Sequence, residues 1–179
     1  MPPPDRAQQT PAPPPTFSAF ALRLLLYLFA VSLLFSVGGL HQKLGPMQQL
    51  IASGVSASAN AFGAPATVSG SVIQLDQAAL EINHECTGVF VLLVYATFVL
   101  AYPAPWSLRL TGIATGVVVL MAVNFARLVA LAVIASQRPA WFGYFHEYFF
   151  QGAFIALLAF MASVWTERVR RATVGHVSD

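Results

Sequence analysis

Between Leu110 and Ala135 the chain carries a single charge, Arg127, and no proline. A helix over that run is long enough to cross the roughly 30 Å hydrocarbon core of a bilayer, which takes about 20 residues. Shorter apolar runs flank it, and together they predict spans near Phe20–Gly39, Val89–Tyr102, Leu108–Ala135 and Tyr148–Trp165. Composition agrees: 57% of the 179 residues are hydrophobic and 9% charged, where soluble domains carry about 25% charge. The expected fold class is therefore an all-α integral membrane protein of about four transmembrane helices. Its nine lysines and arginines stand singly or at span ends instead of along one stripe, which argues against a nucleic-acid surface.

Residues 1–16 are rich in proline and hold nothing from which to build a core, so they read as a disordered tail ahead of a membrane domain over 17–166. A basic cytoplasmic tail is expected over 167–179. Sidedness follows from the lysines and arginines of the short connections. With the N-terminus in the cytoplasm, Arg6, Arg23, Arg109, Arg168, Arg170 and Arg171 lie inside, and Lys43 and Arg138 lie outside. Trp106, Trp141 and Trp165 fall at span ends, where indole rings anchor to the interface. Ser36-Val37-Gly38 leaves a cleaved signal peptide open for the first span, although the long tail before it favours a retained anchor. The external loop 40–86 contains a helix-like spacing of apolar residues from Met47 to Phe62. After it, a near-alternating stretch from Ala66 to Ile82 around Asp76-Gln77 predicts a small external β-hairpin.

That hairpin leads directly into His84-Glu85-Cys86-Thr87-Gly88 at the outer end of the second span. Cys86 is the lone cysteine, which rules out an intrachain disulfide and a four-cysteine zinc site. Arg127 falls about nine residues before the outer end of the third span, roughly 13 Å deep, and a long guanidinium side chain covers that distance. His146 opens the fourth span on the same side. Asn124 lies about 60° from Arg127 around the helix, close enough to hold the guanidinium or a substrate carbonyl. Gly116, of the Gly112/Gly116 pair, lies about 20° from it. A thiol reacts as thiolate, a nearby cation lowers its pKa or binds an oxyanion, and an imidazole moves the proton. Other readings stay open: a buried inert thiol, Arg127 as a structural cation paired with Glu85 or Glu147, and His146 as one interfacial ring among aromatics. His84, Cys86, His146, Glu85 and Glu147 are also possible metal ligands, but no known ligand spacing links them, so no metal is assigned.

Glu85-Cys86-Thr87-Gly88 at the head of a span, Asn124-Phe125-Ala126-Arg127 within the next, and His146 with Gly152 opening the last resemble the exosortase/archaeosortase family of membrane transpeptidases. The resemblance covers roughly residues 66–160. It implies a cysteine endopeptidase or transpeptidase of the cytoplasmic membrane with its active site facing outward and no cofactor. Its substrates would be exported proteins bearing a C-terminal sorting signal: a short motif, a transmembrane helix and a basic cluster. Carried over, Cys86 is the nucleophile, Arg127 the thiolate or oxyanion partner and His146 the acid/base, with Asn124, Glu85 and Thr87 in support and a lipid or glycan amine as a possible acceptor. Two departures stand out: many family members have about eight spans, and Thr87 replaces a serine often found there. The alternative is a non-catalytic membrane assembly or chaperone subunit of an exopolymer or secretion system.

Overall fold

Pro103, Pro105 and Pro139 divide the apolar part of the chain, because proline donates no main-chain hydrogen bond and biases its predecessor away from helix. The computed structural model describes residues 17–37 and 43–175. The tail 1–16, the far end of the first expected span at Gly39 and residues 176–179 lie outside them. Helix α1 (Phe17–Val37) is followed by α2 (Gly45–Ala61), strands β1 (Ala66–Ser69), β2 (Val72–Leu75) and β3 (Ala79–Glu81), and a single 3-10 turn over Glu85–Thr87. Then come α3 (Val89–Ala101), α4 (Trp106–Gln137), α5 (Pro139–Tyr144), a π-helical turn (Phe145–Phe149) and α6 (Phe150–Gly175).

Among the described residues, two helical segments are long and apolar enough to cross a membrane: Trp106–Gln137, and the α5–π–α6 run over Pro139–Thr173. The other two expected spans are shorter. The apolar part of α1 covers Ser18–Leu34, and α3 has 13 residues, about 20 Å of rise against a core of about 30 Å. Leu25, Phe29, Val118, Ile155 and Phe160 are exposed on the outside of the bundle, as expected where the surrounding solvent is lipid.

Helix α4 is the shared partner. Along it Gly112, Gly116, Leu120, Asn124, Leu128, Leu131 and Ala135 are buried, one face at helical spacing. A Cβ on Gly112 would collide with the Trp165 indole of α6, and one on Gly116 with the Tyr95 ring of α3. Each glycine therefore seats a different helix. Trp165 is buried and its Nε1–H donates to the Leu108 carbonyl at 3.0 Å. This corrects its assignment as an interfacial ring, while Trp106 and Trp141 are exposed.

At the other end of α4 a small cap encloses a second core. Helix α2 begins with proline in its first turn, a position where the missing N–H costs nothing. Its Val55 and Ala59 face the core as the spacing predicted, but Leu50 and Phe62 are exposed. Asn60 clamps the first residue of β1, accepting from the Ala66 N–H and donating to its carbonyl, both at 2.9 Å. The expected hairpin is a three-stranded antiparallel meander in the order β1-β2-β3. The extra reversal comes at Gly70 (φ +64°), where glycine adopts the left-handed conformation without steric cost. Ile73, Leu75, Leu80 and Ile82 point into the cap against Leu128, Val129, Ala132 and Ala135 of α4. The segment expected as a basic tail from residue 167 is helical as far as Gly175, and Val169 within it is buried.

Candidate active site

The strand β3 delivers the chain to the 3-10 turn, which packs against α2 and α4. Cys86 is 7% exposed and belongs to the core of the cap, beside Leu128, Val129 and Ala132. Both polar atoms of its main chain are held. Its N–H donates to Asn83, to the side-chain Oδ1 at 3.1 Å and to the main-chain carbonyl at 3.1 Å, and its carbonyl accepts from Asn124 Nδ2 at 2.8 Å. Thr87, fully buried, donates its hydroxyl to the His84 carbonyl at 2.7 Å and so braces the turn from within. Gly88 follows in the left-handed conformation, φ +76°, and hands the chain to α3.

Burial pushes the Cys86 thiol above its ordinary value, because a thiolate loses hydration in an apolar surround. The hydrogen bond to Asn83 and the charge of Arg127 pull the other way, while Glu85 and Glu81 push up with the burial. Cys86 and Arg127 are thus within electrostatic range of each other. The guanidinium carbon of Arg127 lies 6.0 Å from the Phe150 ring centre and 5.7 Å from that of Phe154, distances at which a cation is attracted by the ring face. Its Nε is buried without a hydrogen-bond partner. Neither Glu85 nor Glu147, both exposed, forms an ion pair with it among the described residues.

His146 sits on the π-helical turn and stacks on Phe142, ring centres 5.4 Å apart and planes at 20°. Phe142 in turn packs against the core that contains Cys86. No hydrogen bond joins His146 to Cys86 or Arg127 among the described residues. The structure therefore joins Cys86 by a hydrogen bond to Asn124, on the helix that also carries Arg127, and places His146 on Phe142 at the edge of the cap core. Among the described residues no three His, Cys, Asp or Glu side chains converge as a metal site. Asn124, expected to hold the guanidinium or a substrate carbonyl, donates from Nδ2 to the carbonyl of Cys86. Sequence reasoning missed Asn83, Phe150 and Phe154. Asn83, three residues before Cys86, carried a readable signal, since asparagine side chains commonly hold main-chain N–H groups in turns.

The profile of the family described as transmembrane exosortase (Exosortase_EpsH) matches residues 13–166 of the 179. The chain belongs to the transmembrane exosortase family. Exosortases are membrane proteins of protein sorting, generally resemble cysteine transpeptidases, and act on exported proteins that carry C-terminal sorting signals. No curated protein and no solved structure matches this exosortase chain. Its turn, its α4 face and its π-helical turn all fall inside the matched segment.

Proposed function

We propose that this exosortase is a cysteine endopeptidase and transpeptidase that cleaves exported proteins near a C-terminal sorting signal on the outer side of the cytoplasmic membrane. One observation carries the reading. The lone thiol is held by its main chain against the helix that presents Arg127, a cation in electrostatic range whose Nε has no partner of its own.

In the proposed reaction the Cys86 sulfur attacks the scissile carbonyl carbon as its proton passes to His146. The tetrahedral oxyanion accepts a hydrogen bond from Arg127. Collapse breaks the C–N bond, His146 returns the proton to the leaving amine, and a thioester remains on Cys86. An amine or water then attacks the thioester and releases the thiol. Burial raises the Cys86 thiol against the opposing pull of Arg127, and the buried Nε of Arg127, which has no partner at rest, is available to an oxyanion. The reaction requires His146 to leave its stack on Phe142 when substrate binds, which would make proton removal coincide with binding.

Four spans with both termini inside put the turn, Arg127 and His146 at the outer face, and α1 and α3 complete the crossing together with their flanking residues. The deep burial of Cys86 favours a second reading, an assembly subunit in which the thiol is inert packing. Proteoliposomes holding wild type or Cys86→Ala, given a tagged substrate with motif, transmembrane helix and basic cluster, separate the two. Processing lost only in the variant supports the peptidase; equal processing in both removes Cys86 from the reaction.

A further inference from the structure

We infer that Asn124 is a positioning residue for the nucleophile: it ties the Cys86 carbonyl to α4 and so sets where the thiol stands relative to Arg127. The inference rests on the reading of Cys86 as nucleophile. A carboxamide 4% exposed on an apolar helix is costly unless its donors are used. Here the Nδ2 is used across 38 residues of sequence, at 2.8 Å from the Cys86 oxygen. With Asn83 holding the N–H of Cys86 from the other side, both polar atoms of that residue's main chain are fixed, and the direction of its Cα–Cβ bond with them.

The fit at Gly88 says the same in steric terms. A Cβ there would stand 2.9 Å from Asn124 Nδ2, 3.0 Å from its Cγ and 3.0 Å from Met121 Cε. The turn is pressed directly onto the amide, with no space for a substrate group between them. Arg127 is three residues further along the same helix, about 4.5 Å in rise. One helix thereby holds the nucleophile's main chain through Asn124 and carries the cation at Arg127, and that hydrogen bond ties the turn to the helix.

Cys86 is the only cysteine, so the rate of alkylation by iodoacetamide in the full-length protein in liposomes reads this one thiol. Asn124→Leu keeps most of the side-chain volume and removes the donor; Asn124→Ala removes both. Both variants are expected to alkylate at least about tenfold faster at neutral pH, with the midpoint of the pH–rate curve lowered toward the ordinary thiol value as the turn loosens. Cleavage of the tagged substrate is expected to fall about ten- to hundredfold, in kcat more than in KM. Alkylation curves that match wild type in both variants would overturn the inference, as would a loss confined to KM, which would assign Asn124 to the substrate. A wild-type protein that cleaves nothing would sink the peptidase reading alone, and the alkylation comparison would still decide what Asn124 does.

Discussion

The two flanks of the site are built differently. On the cysteine flank every polar main-chain atom of Cys86 has a partner, Thr87 braces the turn, and a cap of strands and helix encloses it. On the aromatic flank Arg127 touches ring faces, its Nε is unpartnered, and His146 rests on Phe142 in a π-helical turn. One flank is finished before substrate arrives; the other holds unspent hydrogen-bonding capacity. The contrast matches the division of labour in the proposed reaction, where the nucleophile must be aimed in advance and the charge-bearing groups act on a substrate not yet present.

Several substitutions would break or sharpen this contrast. The largest effect is expected for Cys86→Ser, which keeps the packing and removes the thiol: cleavage should fall by more than about 10⁴-fold with the fold intact, measured as product formation beside thermal unfolding in detergent. Next, His146→Ala should cost roughly 10²- to 10⁴-fold in kcat and leave the iodoacetamide curve of Cys86 close to wild type, because no hydrogen bond joins the two at rest. A large change in that curve would mean the flanks are already coupled.

Arg127→Gln should lose about 10²- to 10³-fold in rate while stability stays within about 1 kcal/mol of wild type, since one incompletely partnered polar side chain replaces another. Loss of stability together with rate would place Arg127 among the structural cations. The smallest effect concerns pH. Burial raises the Cys86 pKa in the fold, so the associated stability is complete below the thiol's unfolded value of about 8.5 and declines as pH rises through the folded one. Wild type should therefore lose stability on the alkaline side, and Cys86→Ala should flatten that limb in denaturation curves.

Much of the cysteine flank was legible in the sequence. Glu85-Cys86-Thr87-Gly88 before an apolar run marked the head of a helix, and helical spacing put Gly116, Asn124 and Arg127 on neighbouring faces of one long helix. The strand count was less so: alternation survives a reversal at Gly70, and the Asp76-Gln77 turn gave the stronger signal. The aromatic flank was hidden for a physical reason. Spacing arithmetic assumes 3.6 residues per turn, whereas the chain over Phe145–Phe149 winds as a π turn, which shifts every later residue around the axis. The partners of Arg127, Phe150 and Phe154, lie immediately beyond that shift.

The seating of Trp165 on Gly112 fixes α6 to α4 at a point 19 residues from His146, about 28 Å along the helix. That contact is a fulcrum and the stretch leading back to the π turn is its arm. A tilt of about 5° there would sweep the imidazole through about 2.5 Å, so a small rotation of α6 at its seat on Gly112 is read out as a much larger displacement at His146.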